Sequence, residues 1–182
     1  TWSGGENLYR GGQGPLKVNR SKIDDAFPLF KSLIKAAAEA GYDTFEDSNG
    51  FKQDGFGTFD VTIDNGKRQG VSRAYLKEMN GYKNLSIEHN TDVSKIIFKE
   101  KKAIGVEVKR NNHSEIYYCN KEIILSSGSI NSPKILQLSG IGDEKILSKN
   151  GIDIINHLPG VGKNLQDHLE IYIQHKSKIK DT

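Results

Sequence analysis

The stretch 126–142 holds the residue types best suited to binding a nucleotide. An apolar run at 122–125 predicts a buried parallel strand, and it leads into small residues at 126–128 that let another group approach the backbone closely. Ser132 is expected to cap a helix that starts at Pro133. The free N–H groups of such a helix favour phosphates, although the pattern fits an ordinary strand–turn–helix connection about as well.

A second candidate site is the alternating run 168–174. One face carries the polar residues His168, Glu170, Tyr172 and Gln174, and the other carries Leu169, Ile171 and Ile173. A carboxylate beside an aromatic ring suits a quaternary ammonium group, with the ring contributing roughly 0.5–2 kcal/mol. The same alternation also predicts a plain strand with one face on a core and the other in water.

The histidines and the single cysteine offer no catalytic or metal site. His113 falls in a predicted turn, and His89, His157 and His175 fall on or beside predicted strands, without a partner for base or ligand work. Cys119 stands alone, which excludes an internal disulfide and a cysteine-based zinc site.

The first 70 residues predict one helix among long irregular segments. The helix is expected over about 25–40, ended by Gly41. Its expected cap is Asp24 or Asp25, Pro28 suits its first turn, and its apolar face is Phe27, Phe30, Ile34, Ala37 and Ala38. Residues 42–70 are rich in turn formers, including the pair Asn65-Gly66, and predict a long shaped loop.

After residue 70 the pattern changes to strands. Ser72 is expected to cap a short helix from Arg73 to about Asn80, closed by Gly81. Five strands are predicted, of which the middle three form an antiparallel meander with short polar turns. They are 85–89, 93–99, 103–109, 115–119 and 122–126.

Composition narrows the class of protein. The 182 residues are 35% hydrophobic and 27% charged, and the formal charge of +3 comes with scattered lysines. No basic face with interleaved aromatics predicts nucleic-acid binding, and no apolar run approaches the ~20 residues that span a bilayer. Thr1 is not an initiator methionine, and a strand-like run lies close to the last residue, so we expect both ends to continue into a longer protein.

The stretch at 128–142 resembles the second signature of the glucose–methanol–choline oxidoreductases. The match is Gly128-Ser129-x-x-Ser132-Pro133-x-Ile135-Leu136-x-x-Ser139-Gly140-Ile141-Gly142. Other segments resemble the family in the same order, so that the likeness covers nearly the whole chain. They are Asn49-Gly50 with 53–57, Arg73-Ala74-Tyr75-Leu76, Asn84-Leu85, and the PGVG-x-NLQDH element at 159–168. Within that element, the glycines at 160 and 162 are expected to form a tight turn and not a phosphate-binding fingerprint.

The resemblance implies FAD as cofactor, bound in a Rossmann-like domain. It implies α/β architecture (α+β overall), with part of that FAD domain, an antiparallel meander, and part of a substrate-binding domain. The implied segments are 1–70 (substrate domain), 71–167 (FAD domain, with its meander at about 93–119 and strand–turn–helix at 122–139) and 168–182 (next substrate segment). The implied cofactor-binding residues are Val93, Ser126, Ser127, Gly128, Ser132 and Pro133.

The resemblance also implies choline as the substrate. In the choline-oxidising branch, a Glu two residues after the Asp-His pair faces the trimethylammonium group, and Glu170 holds that place after Asp167-His168. His168 and Tyr172 are the accompanying substrate-binding residues, and the run 164–172 is most like the bacterial dehydrogenases. The product would be betaine aldehyde and then glycine betaine.

Two parts of the family pattern do not occur in this sequence. No G-x-G-x-x-G is present, and the family's catalytic His is expected beyond Thr182, so the chain alone is expected to be inactive and to need the remaining parts of the enzyme. The sequence itself gives no location, while the family suggests the bacterial cytoplasm or the inner-membrane periphery and leaves membrane association of the parent open. Two alternatives stay open: another primary alcohol as substrate, and a non-catalytic module of the same fold.

Overall fold

The computed structural model describes residues 1–20, 28–111, 113–174 and 176. The chain divides into two units, Thr1–Ser86 and Ile87–Thr182. The architecture mixes helices with short antiparallel sheets, in agreement with the predicted α+β class. The domain boundaries after residues 70 and 167 stay predictions.

The first unit contains the predicted helix. Helix α1 spans Pro28–Glu39 and is followed by Gly41, whose φ of +84° is a left-handed conformation that glycine adopts without strain. The N–H of Gly41 donates to Ala38 O (3.1 Å), and the N–H of Tyr42 donates to Ala37 O (2.9 Å), which satisfies two terminal carbonyls. Of the predicted apolar face, Ala37 is buried, Ile34 is half-buried, and Phe30 and Ala38 are exposed. Asp24, Asp25 and Phe27 lie outside the described residues.

Residues 42–70 are mostly irregular, as predicted, except for one small hairpin. Strands β1 (Ile63–Asp64) and β2 (Lys67–Arg68) pair antiparallel around Asn65-Gly66. Both turn residues have positive φ, at +48° and +71°, which is the geometry that an Asn-Gly pair favours between two strands.

The short helix predicted at 73–80 is wrong in kind and extent. The structure has one π-helical turn, Ser72–Leu76, in which the N–H of Lys77 donates to Ser72 O at 2.9 Å. Ser72 lies inside this turn and does not cap it, because the first N–H groups of the turn, from Arg73 and Ala74, reach Gly70 O instead. The chain then continues in turns as far as Gly81.

The second unit is built on the predicted meander, which the structure confirms. Strands β3 (Asp92–Lys99), β4 (Lys102–Arg110) and β5 (His113–Tyr118) form an antiparallel sheet in that order. The turns between them place Glu100 and Asn111 at φ of +57° and +48°. Asn112, which belongs to the second predicted turn, lies outside the described residues.

Helix α2 (Gly128–Leu138) packs against β3 and is fixed by a buried serine at its end. The hydroxyl of Ser139 accepts a hydrogen bond from the N–H of Ile96 at 2.8 Å and donates to Ile135 O. Because β3 is an edge strand, this bond satisfies a backbone donor that lacks a strand partner on that side. Ser139 therefore ties the helix to the meander.

A short parallel pair follows the helix. Strand β6 (Ile141–Gly142) pairs with β7 (Asn156–His157), and helix α3 (Glu144–Lys149) lies between them in the chain. Gly140 precedes β6 with φ of +83°, and a Cβ there would lie 2.3 Å from Asp153 O. A side chain at this position would be strained by the left-handed backbone conformation and would also clash with the carbonyl oxygen of Asp153.

Three predicted strands are absent from the described residues. Residues 85–89, 122–126 and 168–174 are extended or irregular without a pairing partner. The run at 122–125 was expected to be buried on both faces, yet Ile124 is 79% exposed. The apolar pattern is correct for strands, but a strand forms only where a neighbour accepts its backbone hydrogen bonds.

The described core is small and distributed over both units. The buried side chains of the first unit are Trp2, Ala37 and Ala74, and those of the second are Ile96, Val108, Ile135, Ser139 and Leu147. In the described ranges, no helix has the length and apolar character needed to cross a membrane.

Candidate functional site

The corner before α2 is open, and its geometry differs from the predicted one. The helix begins at Gly128, five residues before Pro133, so Pro133 lies inside it and removes one backbone hydrogen bond. Ser132 does not cap its own helix start. Its hydroxyl accepts the N–H of Ser127 at 3.0 Å and so closes the turn in which residues 126–128 lie.

Small exposed residues form this corner. Ser126, Ser127 and Gly128 are all exposed, and Gly128 has φ of +82°. A Cβ added at Gly128 would meet no atom of the described chain within 4 Å. The corner therefore leaves space beside its backbone, as the spacing of small residues predicts.

Val93 and Ser127 line one groove, which we call the β3–α2 groove. It has a volume of about 780 Å³ and lies between the start of β3 and the face of α2. Its lining combines small polar groups with three cations and two carboxylates, and the sequence analysis predicted only Val93 and Ser127 of it as cofactor-binding residues. The full lining is Thr91, Asp92, Val93, Ser94, Lys95, Glu107, Lys109, Ser127, Asn131, Lys134, Ile135 and Leu138.

The missed residues could have been found by helix geometry. Asn131, Lys134 and Leu138 follow one another at the three- and four-residue spacing that places side chains on one face of α2. They occupy variable positions of the signature, so the motif alone did not indicate a binding role for them. Ser139 was matched as a signature residue, but its bond to the backbone of β3 is visible only in the structure.

Pro133 lies on the other side of α2, in a second groove of about 700 Å³ with residues 162–166. The amide of Gln137 donates to Val161 O at 3.2 Å, and Lys163 reaches the carboxylate of Asp143 at 3.2 Å. The Lys163 ammonium lowers the pKa of the Asp143 carboxyl below its ordinary value. The glycines of this segment form tight turns, as predicted, with the N–H of Lys163 donating to Gly160 O.

The predicted substrate residues lie in the extended segment 168–174, which is exposed throughout. The structure brings Glu170 and Tyr172 together, because the phenol of Tyr172 donates a hydrogen bond to the Glu170 carboxylate. This bond raises the pKa of Tyr172. His168 does not join them, and its backbone N–H bonds the carboxylate of Asp167.

The described residues contain no cluster of three or more His, Cys, Asp or Glu side chains that could hold a metal ion. His157 accepts the backbone N–H of Glu144 at 3.2 Å through Nδ1, which is a structural bond at the start of α3. His175 lies outside the described residues.

Comparison with known proteins gives a consistent family. A family model described as GMC oxidoreductase matches residues 2–170. The chain is 50% identical to the mitochondrial choline dehydrogenase of Homo sapiens over 170 residues, which is 93% of this chain and 28% of that protein. It is 48% identical over 172 residues to the oxygen-dependent choline dehydrogenase of Staphylococcus epidermidis, covering 93% of this chain and 30% of the relative.

Solved structures of flavin-dependent and related oxidoreductases also superpose on this chain. An FAD-dependent oxidoreductase from Chaetomium thermophilum superposes with a TM-score of 0.79 at 36% identity, covering 92% of this chain and 28% of that one. A pyridoxine 4-oxidase from Mesorbium loti superposes with a TM-score of 0.74 at 27% identity, covering 82% and 29%. The chain thus spans about 30% of the length of the relatives that it matches.

Proposed function

This chain belongs to the GMC oxidoreductase family, and on that premise we propose that it forms part of an FAD-dependent enzyme that oxidises choline to betaine aldehyde and onward to glycine betaine. When bound, FAD would supply the acceptor for the hydride that leaves the alcohol carbon. The residues of this chain would bind the cofactor and select the substrate.

The observation that carries the flavin part is the open β3–α2 groove. Val93 and Ser127, which lie 34 positions apart in the sequence, line it together, and the corner at Gly128 leaves free space beside the backbone. The lining holds three lysines and two carboxylates (Lys95, Lys109, Lys134, Asp92 and Glu107), so its formal charge is three minus two, or +1, and this sign suits an anionic dinucleotide. These residues fit an FAD molecule, with Val93, Ser126, Ser127 and Gly128 as the groups that would touch it.

Ser132 and Pro133 have different proposed roles. Ser132 would act through the turn, since its hydroxyl already accepts the Ser127 N–H. Pro133 is half-buried and lines the groove on the other side of α2, so it would shape the helix start and have no direct part in holding the cofactor.

Choline as the substrate is supported by the pair Glu170 and Tyr172. The carboxylate provides the negative charge and the phenol ring provides an aromatic face for a trimethylammonium group. The similar proteins from Homo sapiens and Staphylococcus epidermidis are choline dehydrogenases, which agrees with that substrate class. His168 is proposed as a further lining residue from its place in the sequence.

The test is Glu170→Gln in an enzyme in which this chain replaces the matching segment of the Staphylococcus epidermidis relative. We expect the KM for choline to rise by about tenfold or more, because a lost charge contact of about 1.4 kcal/mol corresponds to a factor of ten. The KM for 3,3-dimethylbutan-1-ol, the uncharged isostere of choline, should change little, because that alcohol has no charge for Glu170 to bind.

The matched control is Glu100→Gln, which makes the same carboxylate-to-amide change in the exposed β3–β4 turn. It should leave both KM values unchanged. Equal effects of Glu170→Gln on the two alcohols would reject choline and leave another primary alcohol as substrate. A folded chimera without activity, beside an active parent enzyme, would favour a non-catalytic module.

A further inference from the structure

A groove in the first unit collects positive charge away from the residues discussed above. It has a volume of about 510 Å³ and is lined by Lys17, Lys67, Arg73 and Lys77. These cations come from three separate segments: an irregular stretch near residue 17, strand β2, and the π-helical turn with the residue that follows it. We call this feature the basic groove.

The positive charges of the basic groove are only partly balanced by the carboxylates that line it. Two carboxylates, Asp64 and Glu78, also line it, so its formal charge is four minus two, or +2. Neither carboxylate lies within ion-pair distance of a described cation, and Lys17 contacts only the hydroxyl of Thr1 at 3.4 Å among the side chains described. Elsewhere in this unit, Arg10, Arg20, Lys35 and Lys52 each hold a carboxylate.

The local backbone adds a second, independent observation. Arg73 lies in the π-helical turn, Lys77 directly follows that turn four residues later, and both residues line the groove. Like charges at this spacing repel one another, and π-helical turns occur frequently at functional sites. Two cations that line one groove at this spacing, and that no described carboxylate holds in an ion pair, are explained if an anion binds there.

We propose that the basic groove binds a phosphate monoester. Such a group carries a charge of about −1.5 to −2 near neutral pH, which matches the formal charge of the groove. Arg73 offers the planar fork that binds two phosphate oxygens, and Lys67 and Lys77 act as mobile point charges around it. The volume suits a small phosphorylated molecule or a lipid headgroup that enters from the open side.

The experiment measures phosphate binding by the full chain. Isothermal titration calorimetry with inorganic phosphate, at an ionic strength held constant with chloride, tests a free ligand. Flotation with phosphatidylcholine vesicles that contain phosphatidic acid, compared with pure phosphatidylcholine, tests a lipid headgroup. We expect saturable binding in at least one arm, weakened by about tenfold or more in Lys67→Gln/Arg73→Gln/Lys77→Gln.

The control variant is Lys101→Gln/Lys121→Gln/Lys149→Gln, which removes an equal number of positive charges, three, from exposed positions of the other unit. It should bind as the parent chain does. Circular dichroism checks that each variant is folded, and the single variants Lys67→Gln and Lys77→Gln decide the matter if the triple variant is not. Absence of saturable binding in both arms, or equal weakening by the control variant, would overturn the proposal.

Discussion

At the scale of single residues, Tyr172 has two separable properties. Its ring can face a cation, and its hydroxyl donates to the carboxylate of Glu170. The hydrogen bond restricts where the carboxylate oxygens of Glu170 lie. Tyr172 is therefore proposed as a positioning residue for Glu170 in addition to an aromatic wall of the site.

Two substitutions of Tyr172 separate these properties in the chimeric enzyme. Tyr172→Phe removes the donor and keeps the ring, and we expect the KM for choline to rise about threefold with kcat little changed. Tyr172→Leu removes both, and the rise should reach about tenfold. The KM for 3,3-dimethylbutan-1-ol, the uncharged isostere of choline, is measured beside it to detect a merely structural effect. If Tyr172→Leu weakens both alcohols alike, Tyr172 only supports the fold of its segment.

Individual residues differ in how far sequence could predict their roles. Gly41 and Gly140 were predictable, because each follows an apolar helical run at the position where a left-handed residue ends a helix. Val93 was not, since a valine in a strand pattern is ordinarily a core residue, and only the family resemblance singled it out. Ser139 bonds a strand 43 residues away, and no local pattern contains that information.

At the scale of elements, the irregular segments of the first unit are tied together by an arginine. Arg10 binds the carboxylates of Asp47 and Asp60, and its guanidinium lies 4.8 Å from the centre of the Trp2 ring. The side chains of this ion pair are only 11–16% exposed. The hydrogen bond from Arg10 lowers the pKa of Asp47. This network holds segments that have few backbone hydrogen bonds between them.

Asp47→Asn should destabilise the chain by about 2 kcal/mol at neutral pH, because it removes a charged hydrogen bond from a mostly buried site. The pKa of Asp47 is lower in the folded chain, so its contribution is complete above the ordinary value of about 3.9 and is lost as the pH falls through the folded value. The difference in unfolding free energy between parent and variant should therefore shrink below about pH 4.

Urea unfolding between neutral and acidic pH measures that difference. Asp54→Asn is the matched control, since it makes the same carboxylate-to-amide change at an exposed position of the same irregular segment. If the difference in unfolding free energy between the parent and Asp47→Asn stays constant down to about pH 3, the ion pair does not stabilise the fold through the Asp47 charge.

Elements whose partners are close in sequence were the ones that could be predicted. The meander β3–β5 forms from neighbouring segments, so its periodicity and turns suffice. The run 122–126 has an equally good apolar pattern but no partner strand in the described chain. The start of α2 was misplaced because Ser132-Pro133 is a typical first turn, whereas here the helix already begins at Gly128 and the Ser132 hydroxyl accepts the N–H of Ser127.

At the scale of the whole molecule, this chain contains a groove for the cofactor but not the glycine-rich turn that binds a dinucleotide diphosphate. The β3–α2 groove offers one open face, lined by Val93, Ser127 and the exposed side of α2. The sequence contains no G-x-G-x-x-G, the glycine-rich turn that brings helix N–H groups to a dinucleotide diphosphate. A single open face buries far less of a ligand than the 70–90% that is typical of small-molecule sites.

We therefore expect the purified 182-residue chain to bind FAD weakly, with a Kd above about 10 μM, although its groove is formed. Gel filtration after mixing with FAD should yield protein with little yellow colour, and the chimeric enzyme should retain the flavin, because there the chain is combined with the remaining parts of a related enzyme. Within the chimera, Gly128→Val should lower flavin retention, since it adds a branched side chain to the open corner at a φ of +82°. Gly66→Val, at a φ of +71° in the β1–β2 turn, imposes a similar backbone strain away from the groove and is the control. Tight stoichiometric flavin on the chain alone would mean that one face is enough.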